Sequence, residues 1–141
     1  MTFTAIARDP ATGRLGIATA TRSLAVGVRV PFVAPRRGAV AIMAIADQRL
    51  GLRGLKLLEL GNKAPAVVEQ LAAGDPNCEF RQLGAIDDDG HVAARTGKEN
   101  RDWAGHHLHD NFIALGNVLP GEHILEAIAD GFRERPDDPL E

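Results

Sequence analysis

Apolar and polar positions along the chain fall into runs of distinct period. Thr2 to Arg8 and Leu15 to Thr21 are extended stretches rich in Thr, Ile and Ala, parted by the turn-forming Asp9-Pro10-Ala11-Thr12-Gly13, and they predict an antiparallel hairpin. Antiparallel partners conserve the sum of their positions, so Arg8 opposite Leu15 places Thr2 opposite Thr21 and Thr4 opposite Thr19. Four hydroxyls then share one face at one end of the hairpin. Phe3, Ala5, Ala7, Gly16, Ala18 and Ala20 take the other face, small enough to admit a second layer, and both faces are expected to be covered.

Val28 to Val33 predicts a short extended piece that Pro31 confines to an edge or bend, and Pro35-Arg36-Arg37-Gly38 the next turn. Ala39 to Ile45 has no polar alternation, the pattern of a strand covered on both faces. Period 3.6 then takes over. Arg49, Arg53, Lys56, Glu59 and Lys63 form a polar stripe, six leucines from Leu50 to Leu60 fill the rest, and a mostly buried helix is expected, its Gly51 and Gly54 allowing close approach to a sheet. Pro65 opens a second helix and Gly74 ends it. Gln82 to Asp87 and His91 to Thr96 predict a hairpin through Asp88-Asp89-Gly90, Gly97 to Gly105 a loop, Leu108 to Leu115 one extended segment, and Ile124, Leu125, Ile128 and Phe132 a final amphipathic helix before the closing RPDDPLE. Strand runs alternating with helix runs define an α+β fold of two packed antiparallel sheets flanked by helices.

Composition narrows the class. The 141 residues suit a single domain, 1–141, with 45% hydrophobic and 25% charged residues, as in ordinary globular chains. Cys78 is the sole cysteine, which excludes an intrachain disulfide. With no signal-peptide pattern or membrane-length apolar run, the expected location is cytoplasmic, with no membrane partner. Seven basic residues against Asp47 alone give Arg22 to Lys56 a local charge of +6, whereas Asp75 to Glu141 carries −9. The basic segment suits an anionic small molecule or the acidic half of another subunit, while a net charge of −3, absence of Tyr and 4% aromatics argue against nucleic acid.

The candidate chemistry begins at Thr2. Removal of Met1 would leave one residue holding both a hydroxyl nucleophile and an amine that titrates near about 7.7 to 8.0, a range useful to a general base. Threonine is also an ordinary strand former, so paired threonines have a structural reading as well. His106, His107 and His109 with Asp110 make the densest set of metal-ligand types, but no second cluster completes a tetrahedral site; Asp87, Asp88 and Asp89 read as turn chemistry. No metal and no cofactor is expected.

More specific patterns recur through the chain: MTFTAIARDPATGRLGIATATRSLAVG, Gly38-Ala39-Val40-Ala41, Gly51-Leu52-Arg53-Gly54-Leu55, Arg81-Gln82-Leu83-Gly84, Trp103-Ala104-Gly105-His106 and Gly116-Asn117-Val118-Leu119. In this order they resemble a bacterial and archaeal domain-of-unknown-function family whose fold is similar to that of the N-terminal nucleophile (Ntn) hydrolases. The resemblance implies an αββα sandwich whose first strand begins at the nucleophile. It also implies that members continue several tens of residues beyond the equivalent of Glu141, so an incomplete C-terminus is expected here. The family is itself uncharacterised; taken with the hairpin register and the basic segment, the leading expectation is cleavage of a small amide, an anionic one if the arginines are used, with Thr2, Thr19, Thr21 and Ser23 as catalytic candidates and Arg22, Arg36, His106 and Asn117 as substrate-binding candidates. The alternatives are a catalytically inactive binding or assembly subunit of the same fold and a metal-dependent hydrolase. Unpaired edges left by a shortened fold lead to the expectation of a homo-oligomer.

Overall fold

The hairpin of the opening residues forms as β1 (Thr2–Arg8) and β2 (Leu15–Thr21), and its register is the expected one, with Thr2 opposite Thr21 and Thr4 opposite Thr19. A computed structural model describes residues 1–134 and Leu140; the tail expected beyond the last helix otherwise lies outside the described residues. Within them the chain continues as β3 (Pro31–Ala34), β4 (Gly38–Ala44), α1 (Gln48–Glu59), α2 (Ala64–Ala73), β5 (Arg81–Asp87), β6 (Val92–Thr96), β7 (Gly105–His109), β8 (Phe112–Asn117) and α3 (His123–Arg133). The strands make two antiparallel four-stranded sheets, ordered β2-β1-β8-β7 and β3-β4-β5-β6. Pro31, which has no N–H to donate, starts an edge strand as expected.

Side-chain alternation divides the apolar residues into three packed zones. Val40, Ile42, Leu83 and Ala85 project from one sheet toward Leu50 and Leu58 of α1 and Val67 and Leu71 of α2. Ala39, Ala41, Met43 and Ile86 project from its opposite face and meet Ile6, Ile113 and Leu115 of the other sheet. The outer face of that second sheet buries Ala7, Phe112 and Ala114 against Leu125 and Ala129 of α3. The order of layers is helix, sheet, sheet, helix. β4 lies between two of these zones, which accounts for its unbroken apolar run; all its residues except Ala44 are buried.

Several expectations are corrected. Leu108 to Leu115 is two strands rather than one, because Asp110-Asn111 turns the chain with Asn111 at φ 57°, a left-handed conformation Asn tolerates. The segment before β3 is not continuous strand: Val26–Val28 coil into a short 3-10 turn. α1 is less buried than its leucines imply, since Leu52 and Leu60 are 62% and 69% exposed. The helix approaches the sheet along Gly51 and Gly54, not along its leucines as a whole. The hairpin is also not covered on both faces: α3 lies over β8 and β7, leaving Ala18 and Ala20 of β2 exposed.

The αα connection and the β5–β6 turn are tied by one buried carboxylate. Asp87 accepts from the Ala64 N–H opening α2 at 3.0 Å, and from the Asp89 and His91 N–H groups at 3.0 and 3.1 Å. This is the turn chemistry expected of the Asp87-Asp88-Asp89 run, with a helix cap added. No described helix is long and apolar enough to cross a membrane.

A Cβ placed on Gly51 would lie 2.1 Å from the Phe32 ring, whereas one on Gly27 meets nothing within 4 Å. Gly51→Ala is therefore expected to lose about 1–2 kcal/mol net, overpacking outweighing the gain in helix propensity. Gly27→Ala is expected to stay within about 0.5 kcal/mol of the parent. Urea denaturation of the three proteins checks the contrast.

Candidate functional site

Toward one end, the layer between the sheets changes from apolar to polar. Past Ile6, Leu115 and Ile86, the positions facing it are Thr4, Thr2 and Asn117 from one sheet and Gln82 and Thr96 from the other, joined by His106 of β7. Gln82 is fully buried. The two protons of its Nε2 are shared among the Gly116 and Gly105 carbonyls at 2.8 and 3.0 Å and Thr96 Oγ1 at 3.0 Å, and its Oε1 accepts from Asn117 Nδ2 at 2.9 Å. Thr96 Oγ1 is also within hydrogen-bond distance of His106 Nδ1, at 2.9 Å. Burial, and secondarily the nearby His107, push the His106 pKa down, in keeping with a neutral ring.

Beside this network lies a pocket of about 70 Å³ whose polar lining comes from Thr2, Thr21, Ser23 and Arg29. Val26, Val30 and Ala44 supply apolar wall. Thr2 Oγ1 is 2.9 Å from Thr21 Oγ1; the Thr21 hydroxyl also reaches the Met1 carbonyl at 3.3 Å and accepts from the Ser23 N–H at 3.3 Å. One step deeper Thr4 and Thr19 make a similar pair at 2.8 Å. Thr4 is fully buried there, and that pair does not line the pocket.

Three non-glycine residues around this end hold left-handed backbone, as Arg36 and Asn111 do elsewhere. Ala25 and Ala44 take φ of 57° and 64°, and Val118, directly after Asn117, takes 54°. For a β-branched residue this conformation is a pronounced outlier, and each such residue costs about 1–3 kcal/mol that its surroundings offset. At Ala44 those surroundings are visible. Arg81, 5% exposed, donates through Nε to Asp75 at 2.5 Å and through its guanidinium to the Ile45 carbonyl, fixing the corner where β4 leaves the sheet. Asp47 caps α1 through the Arg49 N–H at 2.9 Å, and the Arg49 guanidinium, ahead of the backbone bond, holds its carboxyl down to about 2.

The structure thus brings Thr2, Thr21 and Ser23 into one pocket and sets Asn117 beside Thr2 as its strand partner, with the Asn117 amide turned to Gln82. Thr19 lies one rung too deep. His106 belongs to the same polar end through Thr96 and Gln82, but lines a separate groove between α2 and edge strand β6. Arg22 is exposed and lines no part of the Thr2 pocket, and Arg36 lies at the opposite end of the hairpin, near Thr12 and Gly13. Sequence reasoning missed Arg29, Gln82 and Arg81. The signal for Gln82 was its parity: it shares a face with Gly84 and Ile86, in a strand whose other polar residues are the charged ends Arg81 and Asp87.

The remaining candidate clusters have structural duties. His107 and His109 point to the α3 side, with His107 bonded to Glu122 at 2.9 Å and His109 to Arg133 at 3.0 Å. Among the described residues, Asp87, Asp89 and His91 form a group with metal-ligand spacing. Its Asp87 holds the turn and helix cap described above, while Asp89 pairs with Lys63.

A family model described as a family of unknown function (DUF1028) matches residues 2–141, and the chain belongs to this family. It is similar to the crystal structure of a protein of that family from Silicibacter pomeroyi, with 34% sequence identity and a TM-score of 0.93 over 99% of this chain. The chain spans 64% of that relative's length. None of the curated proteins matches it.

Two measurements probe the polar end. Gln82→Leu leaves the Asn117 amide and two carbonyls without their buried partner and is expected to cost about 3 kcal/mol in urea denaturation. His106 has a folded pKa below its unfolded value of about 6.5, so its stabilising contribution is complete above that pH and is lost as pH falls through the folded pKa. The parent is therefore expected to lose more stability between pH 7 and 5 than His106→Gln, His109 being common to both; parallel pH profiles would contradict a neutral buried ring.

Proposed function

We propose that the chain is an N-terminal nucleophile hydrolase that cleaves a small amide, with Thr2 as nucleophile after removal of Met1. The observation that carries this reading is the seating of Thr2, whose hydroxyl lies 2.9 Å from that of Thr21 on the wall of a strained, partly apolar pocket. Two antiparallel sheets packed face to face, with helices outside both and a first strand starting at Thr2, support the same kinship, although a fold by itself does not fix an activity.

In this mechanism Thr2 Oγ1 adds to the amide carbonyl carbon while the Thr2 amine, directly or through a water, accepts the hydroxyl proton. Collapse of the tetrahedral intermediate breaks the C–N bond, and the same proton leaves with the departing amine. Water then cleaves the resulting ester, releasing the acid and restoring Thr2. Loss of Met1 removes the carbonyl that the Thr21 hydroxyl now contacts, freeing that hydroxyl to orient the new amine or a water. Backbone N–H groups at the strand ends are the natural stabilisers of the oxyanion.

Intact mass of the purified protein is expected to equal the chain without Met1. Against a panel of small amides, processed parent and Thr2→Ser should turn over, and Thr2→Ala should fall by at least about a thousandfold. If Thr2→Ala matches the parent, or if an active parent retains Met1, the mechanism is wrong. A processed, folded parent inert toward the panel favours the non-catalytic binding subunit.

A further inference from the structure

Resting on that reading, we infer that the ligand of the Thr2 pocket carries a carboxylate close to its amide group, and that Arg29 binds this carboxylate. Arg29 lines the same pocket as Thr2, Thr21 and Ser23, and among the described residues neither Asp nor Glu lines it. Of the other arginines near this end of the molecule, Arg49 grips Asp47 through Nε and Nη2 at 3.1 and 2.8 Å, Arg81 is held by Asp75, and Arg22 is exposed and lines no part of the pocket. Arg29 forms no ion pair among the described residues. The hollow on its other side contains Asp47, but that carboxylate already serves Arg49 and the α1 cap.

The surroundings favour an anion over a neutral group. Arg29 is the charged side chain that the described residues bring to the pocket lining, so the local charge there is positive. Arg29 is exposed, and Val26, Val30 and Ala44 give the pocket an apolar wall beside it, against which a ligand carboxylate can form a charge-assisted bond to the guanidinium. The pocket is small, so a ligand seated against Thr2 also lies close to Arg29 in the same lining. The pocket therefore has two chemically distinct ends: hydroxyls for the amide carbonyl and a guanidinium for an adjacent carboxylate. Small N-acyl amino acids have this disposition.

N-acetylglycine and N-acetylglycinamide differ only in the carboxylate and serve as matched probes. Titration into parent and into Thr2→Ala, followed by NMR through the backbone amides of Ser23 and Ala44, reads binding without requiring turnover. N-acetylglycine is expected to bind at least about tenfold more tightly, with the difference shrinking at high salt. Arg29→Gln should reduce the ratio to within about twofold, while Arg36→Gln should leave it unchanged. Equal affinities in the parent, a ratio that survives Arg29→Gln, or failure of both probes to bind at millimolar concentration would each overturn the assignment. Discrimination lost in Arg29→Gln, in a protein that hydrolyses neither probe, supports the carboxylate site while counting against the hydrolase mechanism.

Discussion

The buried amide of Gln82 is the contact on which the polar end of the molecule depends. Two sheets pressed together through apolar side chains have no intrinsic alignment at their ends, because dispersion and burial are non-directional. Gln82 supplies direction. From β5 it crosses the gap to the Gly105 and Gly116 carbonyls, which face each other on β7 and β8, and to the Asn117 amide one residue further on. Since Asn117 is the strand partner of Thr2, the same amide that fixes the two sheets also fixes the level at which Thr2 leaves the interior.

Around that fixed level the fold departs from relaxed geometry. Ala25, Ala44 and Val118 all hold left-handed backbone without being glycine, in three different segments that meet at one end of the sandwich. The Asp75–Arg81–Ile45 linkage shows how one of these corners is maintained: a guanidinium buried and paired on one side braces the backbone carbonyl next to Ala44. Removing either charge would leave the other buried without compensation, an expensive arrangement that pins the β4 exit in one position. A pocket wall built from strained but braced backbone is preorganised, so a ligand need not pay for ordering it.

Local regularity was legible in the sequence, and long-range convergence was not. The opening hairpin could be registered because its turn residues and seven-residue strands leave one consistent pairing, and β4 could be placed in the interior because it lacks any polar alternation. The β7–β8 hairpin was hidden because His109-Asp110-Asn111 contains neither Gly nor Pro, while the apolar positions run on across the turn. Arg36 was drawn toward Thr2 by its place in the basic segment. It follows a four-residue strand that Arg29 precedes, and that strand of about 13 Å carries the two arginines to opposite ends of the sheet. Gln82 was visible as a polar residue on the same strand face as Gly84 and Ile86, yet its partners lie 14 to 35 positions away.

The two threonine rungs show how position alone can separate structure from chemistry. Both pair a β1 hydroxyl with a β2 hydroxyl at nearly equal distances, 2.8 and 2.9 Å. Thr4 is wholly enclosed, so its hydroxyl can do little beyond satisfying Thr19 across the strands. Thr2 is only partly enclosed and borders the pocket, so its hydroxyl can exchange a protein partner for a ligand or a water without leaving a buried polar group unpaired. That difference arises from two residues of advance along one strand, across the boundary where Gln82 and Asn117 end the apolar layer. The reactive candidate is therefore defined less by its residue type, which Thr4 shares, than by lying on the wet side of a boundary that the buried amides hold in place.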